Sequence, residues 1–382
     1  MKLLYCALDQ RVPGTLGGSV HVRAVAEGLA ALGHEVHVAT QPGPEGWPAG
    51  SVTWHAMGPP LGRQELRWAR TSAVADLARR VHADVVMERY YNFGGEGVLA
   101  AARLGRPAVL EVNAPIIDYP GSLKQRVDRA LVIEPMRRWR DRVARHVHLF
   151  VTTTADILPP WVDRRRVLEI EWGADVDHFR PRAGGCRRFV ADPARVQCVF
   201  AGAFRTWHGA VHLSAALARL HESGDHRFGA IFIGDGPERA AAERIARGVP
   251  AITFTGALPH AELPAALASA DIGVAPFDPV RHAPLRLGFY WSPLKIYEYM
   301  AVGLPVVAPA LPRLRRLIEH GREGVLYDPV EPRGLDHAIA SLADAAVRRR
   351  MGEAARTRVV RDFSWAAHCA ALDVRLRALV AP

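Results

Sequence analysis

Residues 290–303 read YWSPLKIYEYMAVG, and the order of residue types suits one kind of chemistry. The Ser292-Pro293 pair predicts a helix start, with the proline in the first turn, where its missing N–H would be unpaired anyway. The N–H groups of Leu294 and Lys295 would then leave the helix at the end where its dipole favours an anion such as a diphosphate. Glu298, one turn further on, could accept hydrogen bonds from the hydroxyls of a sugar or ribose. A plain connector between a helix and the buried strand PVVAPA would carry the same pattern, so the segment has to be weighed with others.

Four other stretches match it. FAGAFRTWHG, residues 200–209, sets Arg205 and His208 at a turn before a helix, and a guanidinium donates in a planar fork that fits phosphate oxygens. FIGDGPE places Gly234, Asp235 and Gly236 after a strand, and FTGALPH does the same with Leu258. Near the N-terminus, DQRVPGTLGGSVHV brings Gly14, Gly17 and Gly18 to the end of the first strand, just ahead of a helix. The spacing is not that of a dinucleotide fingerprint, and the second strand ends VATQPG, without the acidic residue that would hold a ribose.

The elements behind these loops alternate. KLLYCAL, HEVHVAT, SVTWHA, ADVVME, PAVLEV and HLFVTT read as short buried strands in the first half, with helical HVRAVAEGLAALG and RTSAVADLARRVH between them. VQCVFAG, FGAIFIG, AITFTG, DIGVAPF, PVVAPA and GVLYD repeat the scheme in the second half. This predicts an α/β protein of two doubly wound, Rossmann-like domains, with ligands at the carboxyl ends of the strands. The Gly-, Pro- and charge-rich EWGADVDHFRPRAGGCRRF reads as a linker, which places domains at 1–180 and 187–362. Residues 363–382 form a last helix, expected to pack back on the N-terminal domain.

The bulk numbers exclude other classes. At 382 residues, 49% hydrophobic and 23% charged, the chain is globular, and no apolar run is long enough to span a bilayer. Cys6, Cys186, Cys198 and Cys369 show no metal or redox spacing, so reduced thiols and a cytoplasmic location are expected. The net charge of +10 calls for an anionic partner, but the basic residues form no nucleic-acid recognition module. RRWRDRVAR, residues 137–145, carries five arginines, with Met136, Trp139, Val143 and Val147 at helical spacing. It reads either as a solvated helix face or as a peripheral contact with anionic lipid.

SPLKIYEYMAVGLPVVAP resembles the C-terminal signature of the retaining glycosyltransferases of family 4, the glycosyl transferases group 1. The order of GGSVHV, FAGAFRTWHG, FIGDGPE, FTGALPH and that signature is similar to the family over essentially the whole chain, and GADVDHFRP resembles its domain connector. The resemblance implies the GT-B fold, two Rossmann-like domains facing a cleft, and a nucleoside-diphosphate sugar of UDP or GDP type as donor, with no other cofactor and no metal. It assigns Arg205, Glu298 and Asn113 to catalysis. Donor binding falls to Gly17, Gly18, Arg205, His208, Gly234, Asp235, Gly236, Leu258, Ser292, Pro293, Leu294, Lys295 and Glu298. Arg89, Tyr90, Tyr91, Asn113 and Asp118 follow N-terminal strands and are the acceptor-side candidates, for a glycan, lipid-linked or small-molecule acceptor.

Three positions depart from the family pattern. Tyr290 stands where an acidic residue is usual, His208 where a lysine is usual, and Asn113 where a histidine is expected. Asn113 can hydrogen-bond a sugar hydroxyl but cannot act as a base. The departures leave open a catalytically weak sugar-nucleotide-binding partner subunit, and a GT-B epimerase is a further alternative. The Asp175-x-Asp177 pair imitates a metal motif but falls in the connector, where a structural role is expected.

Overall fold

Leu3, Tyr5 and Ala7 pack on one side of the first strand and Leu4, Cys6 and Leu8 on the other, the two-residue period of a strand buried on both faces. The computed structural model describes residues 1–14, 17–44, 46–91, 93–115, 122–181, 189–190, 192–281 and 288–381. The chain divides into two compact units: 1–172 with 290–292 and 365–382, and 173–289 with 293–364.

Unit 1 is built on β1 (Lys2–Val12), β2 (Glu35–Pro42), β3 (Thr53–Ala56), β4 (Val85–Arg89), β5 (Ala108–Val112), β6 (Leu149–Thr152) and β7 (Val167–Glu169). Its helices are α1 (Gly17–Ala31), α2 (Thr71–Arg80), α3 (Glu96–Arg103), α4 (Leu123–Ala130) and α5 (Pro135–Arg145), joined by the last helix of the chain. The sheet runs β3-β2-β1-β4-β5-β6-β7, parallel throughout. The short edge strand β7 was not anticipated, because VLE between arginines and EWG shows no periodicity.

Unit 2 contains β8 (Val196–Ala201), β9 (Phe228–Ile233), β10 (Ile252–Gly256), β11 (Ile272–Val274), β12 (Val306–Pro309) and β13 (Gly324–Tyr327). Around them lie α6 (Ala210–Glu222), α7 (Arg239–Ile245), α8 (Leu263–Leu267), α9 (Leu294–Ala301), α10 (Leu314–Leu317), α11 (Gly334–Ala340) and α12 (Ala345–Asp362). The order β10-β9-β8-β11-β12-β13 is again all parallel. In both sheets the first strand of the unit is internal, and the strand order reverses beside it, the usual place for a ligand in such sheets.

The chain leaves unit 1 at Trp172, the second residue of the expected linker and ahead of the boundary placed at 180–187; of that linker, 182–188 lies outside the described residues. Gly173 to Phe179 belongs to unit 2 because it is held there. Ala174 bridges to Ser364, and Arg356 Nη1 donates to the carbonyls of Val176 and Phe179 at 3.0 and 2.9 Å. Asp175 Oδ1 accepts from the N–H groups of Asp177 and His178 in the same turn.

The final helix, α13 (Trp365–Val380), completes unit 1. Its Cys369, Leu372 and Leu376 pack with Val22, Val25, Ala26 and Leu29 of α1. Gly28 permits this approach, since a Cβ there would meet Cys369 Sγ. His34 Nε2 pairs with Asp373 Oδ1 at 2.6 Å. Cys6, Cys198 and Cys369 are buried free thiols. No helix is long and apolar enough to cross a membrane among the described residues. Leu372→Ala should cost unit 1 about 2–5 kcal/mol. A urea melt would register this as an earlier transition, and an unchanged midpoint would mean that α13 does not hold α1.

Candidate functional site

The carboxyl end of each sheet gathers the polar residues, and the two ends are built differently. In unit 2, β8 runs into Gly202 (φ +133°) and β9 into Gly234 (φ +124°), both in backbone conformations that suit glycine. A Cβ on Gly234 would run into the Gly202 carbonyl, so these two strand ends come as close as backbones can. The next arrival is α9, fixed by Tyr299, whose hydroxyl accepts from Ala201 N at 2.7 Å.

That anchoring carries Lys295 to the end of β8. Its Nζ lies 4.2 Å from the centroid of the Phe200 ring and 5.3 Å from that of Phe277. The residue as a whole keeps some exposure, but Nζ is shut off from solvent and has no hydrogen-bond acceptor among the described residues. Burial lowers its pKa to about 7, against a small opposing effect of Glu298. Burial raises Glu298 to about 7, with Lys295 pulling the other way.

Arg205, after β8, is exposed and forms no ion pair among the described residues. His208 packs edge-on to Trp207, its Nδ1 2.5 Å from the Ala203 carbonyl. Asp235 is tied into its own loop: its side chain accepts from Gly236 N and Arg239, and its carbonyl from Phe204 N. Leu258 follows β10, partly exposed.

The helix start differs from expectation. Pro293 is the residue before the helix rather than in its first turn, with ψ at 72°, and α9 begins at Leu294. No side chain caps it, and Ile296 N already bonds back to Pro293 O, so the N–H groups of Leu294 and Lys295 remain the open ones. Ser292 is not part of this helix end. It belongs to unit 1, where its Oγ accepts from Trp172 N at 3.1 Å. Tyr290 is likewise buried in the core of unit 1, its carbonyl taking a bond from Thr153.

In unit 1 the carboxyl end is filled by its own side chains. Glu111, at the end of β5, accepts from Tyr5 Oη and from Asn113 Nδ2, with His21 Nε2 2.5 Å away and Arg89 Nη1 3.6 Å away. The His21 contact is an ion-pair contact without hydrogen-bond geometry. Burial alone would raise Glu111, but His21, Arg89 and the hydroxyl of Tyr5 hold it well below the usual carboxylate range. Trp172 lies tilted against His21, with ring centroids 4.2 Å apart, and donates from Nε1 to Asn113 Oδ1 at 3.0 Å. The carboxamide of Asn113 is therefore held at both ends, which fixes which way it points. Burial, with His21 nearby, lowers the pKa of His368 to about 4.

A second cluster lies beside it. The fully buried Arg67 reaches Glu96, Asp9 and the Arg89 carbonyl, and Glu88 accepts from the N–H groups of Gly95, Gly97 and Val98 at the start of α3. Burial, with Glu96 close by, pushes Glu88 above the usual carboxylate range. Gly17 and Gly18 open α1, with Gly18 against Gln10 and Arg89. Tyr90 and Tyr91 line a recess of only about 20 Å³ with Trp139 and Arg140, room for a water and not for a sugar ring. Asp118 lies outside the described residues.

Sequence reasoning passed over Tyr5, His21, Glu111 and Trp172. The available signal was a lone acid inside an apolar strand, VLEV for Glu111 and VVMER for Glu88, because a buried carboxylate needs partners from elsewhere in the fold. Among the described residues no group of three or more His, Cys, Asp or Glu side chains could hold a metal ion.

Comparison with known proteins gives two family matches: residues 195–345 match glycosyl transferases group 1, and residues 17–158 match a glycosyl transferase 4-like domain. The MMP alpha-(1->4)-mannosyltransferase of Mycolicibacterium hassiacum is 29% identical, over 91% of this chain and 91% of its own length. Sucrose-phosphate synthase from Thermosynechococcus elongatus superposes with a TM-score of 0.72 at 20% identity, covering 99% of this chain and 98% of its own. Anabaena HepE in complex with UDP gives a TM-score of 0.69 at 17% identity, over 99% of this chain and 100% of its own.

The Lys295–Glu298 pair makes anion binding a proton-linked event. With its pKa lowered to about 7, Lys295 is largely neutral above that pH, and an anion beside Nζ raises the pKa again. At about pH 8 a diphosphate should therefore bind with net proton uptake. Calorimetry in buffers of different ionisation enthalpy would detect this as a buffer-dependent heat, which Lys295→Met should remove. A heat independent of buffer would place the anion elsewhere.

Proposed function

Because this chain belongs to the group 1 glycosyl transferases and has their GT-B fold of two Rossmann-like domains, we propose that it transfers a sugar from a nucleoside-diphosphate donor of UDP or GDP type to an acceptor hydroxyl or amine, with retention of anomeric configuration and without a metal. The observation that carries the proposal is the solvent-excluded Nζ of Lys295, which has no hydrogen-bond acceptor among the described residues and sits at the Gly202 strand end on the helix whose first N–H groups no side chain caps. A buried cation left in that state is stabilised by an anion.

In this reading Arg205, Lys295 and the N–H groups of Leu294 and Lys295 hold the diphosphate. Glu298 accepts from the ribose hydroxyls, and the Leu258 backbone faces the base. Gly234, Asp235 and Gly236 line the donor site, and His208 borders the phosphates. The bond from the anomeric carbon to the donor phosphate breaks as the acceptor oxygen or nitrogen bonds to the same face. The acceptor proton passes to the departing diphosphate, so Asn113 need not be a base and serves to hold a sugar hydroxyl. Rate enhancement comes from placing the reactants and from stabilising charge on the leaving group. The acceptor is a glycan, a lipid-linked sugar or a small molecule, and the protein works at the cytoplasmic side.

The direct test is a thermal-shift series with UDP, GDP, ADP and dTDP, each with and without EDTA. A nucleotide at about a hundred times its Kd adds roughly 2.7 kcal/mol to stability. One nucleotide should raise the melting temperature whether or not EDTA is present, and a shift that EDTA abolishes would refute metal independence. Arg205→Ala should lower kcat/KM for transfer at least about tenfold, equivalent to roughly 1.4 kcal/mol. Unchanged turnover would remove Arg205 from the site.

A further inference from the structure

Helix α4 is built inside out. Its buried residues are polar: Gln125 and Asp128, with Ser122 capping the first turn through a bond from Gln125 N. Asp128 is used internally, accepting from the N–H groups of Met136 and Arg137 at the start of α5. The outward side carries Leu123 (74% exposed) and Val127, and the turn that follows adds Leu131, Val132 (86% exposed) and Ile133. Five large aliphatic side chains thus stand in water within eleven residues, a grouping that soluble surfaces avoid unless something covers it. Val132 takes φ +56°, a conformation that β-branched residues rarely accept, and it does so at the outermost point of the ridge.

The exposed charges on α4 and α5 are basic. Lys124, Arg126 and Arg129 are exposed on α4, and Arg138, Arg142 and Arg145 on α5. Residues 122–147 hold eight basic residues against three acidic ones, half of the net +10 of the whole chain. Of those acids Asp128 is buried, while Glu134 and Asp141 are paired with Arg137 and Arg140. The apolar face of α5 is not available as an insertion surface. Val143 and Val147 are in the core, and Trp139 donates to the Gly94 carbonyl. The lipid-facing role considered for residues 137–145 thus moves to α4 and its turn, with the α5 arginines as its flank.

We infer that α4 and the turn 131–133 form a docking surface for an anionic lipid membrane, the aliphatic ridge entering the headgroup layer and the flanking cations pairing with lipid phosphates. A second copy of this chain fits poorly, since a symmetric contact would bring the same positive surface against itself. A folded protein partner would be met by aromatic anchors, and α4 and the turn 131–133 carry no aromatic side chain. Aliphatic tips ringed by lysine and arginine match the layered chemistry of a bilayer surface. The surface goes beyond the sugar-transfer reading and does not depend on it.

Flotation of the purified protein with vesicles tests the inference. Vesicles of phosphatidylcholine with about one-third phosphatidylglycerol should carry at least roughly tenfold more protein than phosphatidylcholine alone, with the difference shrinking at high salt. Leu131→Ser, Val132→Ser and Ile133→Ser together should lower binding about tenfold, and Arg126→Gln with Arg129→Gln by a similar factor. All five side chains are exposed, so the melting temperature and any nucleotide-induced shift should match the parent protein and show that the variants are folded. Equal binding to neutral and anionic vesicles overturns the inference, as does wild-type binding by the triple variant. A lipid-free dimer that the triple variant dissolves would assign the ridge to a second copy instead.

Discussion

A parallel sheet sends the carboxyl ends of all its strands to one edge, and in a doubly wound unit that edge is where charge must be either paired or left for a ligand. Unit 1 pairs it. Glu111 is surrounded by Tyr5, His21, Arg89 and Asn113, and Arg67 is enclosed by Asp9 and Glu96. Unit 2 leaves it open, with glycine backbones, an exposed Arg205 and a Lys295 that has no acceptor among the described residues. The same architecture thus yields one edge whose charges face one another and one whose buried Lys295 Nζ has no hydrogen-bond acceptor among the described residues.

The pairing of charge at the first edge has a chemical use. A carboxamide rotates easily, and its two ends offer opposite hydrogen-bonding character. At Asn113 the Glu111 carboxylate takes the NH₂ end while Trp172 supplies the carbonyl end, so the group presents one donor and one acceptor in a set direction. Glu111 can do this only because its neighbours keep it ionised in a buried place. The direction in which Asn113 points is thereby set by Glu111 and Trp172.

The strands were legible in the sequence to a degree that the site was not. PAVLEV, FGAIFIG and PVVAPA are short, apolar and bounded by turns, and each becomes a strand, because a strand buried on both faces has little freedom in composition. β7 escaped because an edge strand of three residues needs no apolar run. The placement of Lys295 and Glu298 on one helix was legible because α9 sets their spacing. Glu111, His21 and Tyr5 were not, because sheet order alone brings β1, α1 and β5 together, and no local pattern records it. Ser292 was misplaced for a related reason. Its neighbour in space is Trp172, 120 residues away, while its neighbour in sequence begins α9.

The docking of α13 on α1 sets an order of events during synthesis. α1 begins at Gly17, yet the helix that covers its apolar side starts at Trp365, and the contact between His34 and Asp373 spans 339 residues. Emerging from the ribosome, unit 1 has its sheet complete once β7 is made, but the side of α1 that α13 covers around Gly28 stays uncovered while all of unit 2 is translated. At about 5–20 residues per second that interval lasts on the order of ten seconds or more. During it the nascent chain displays an aliphatic stripe that a chaperone can bind, and the domain made first is the last to be closed.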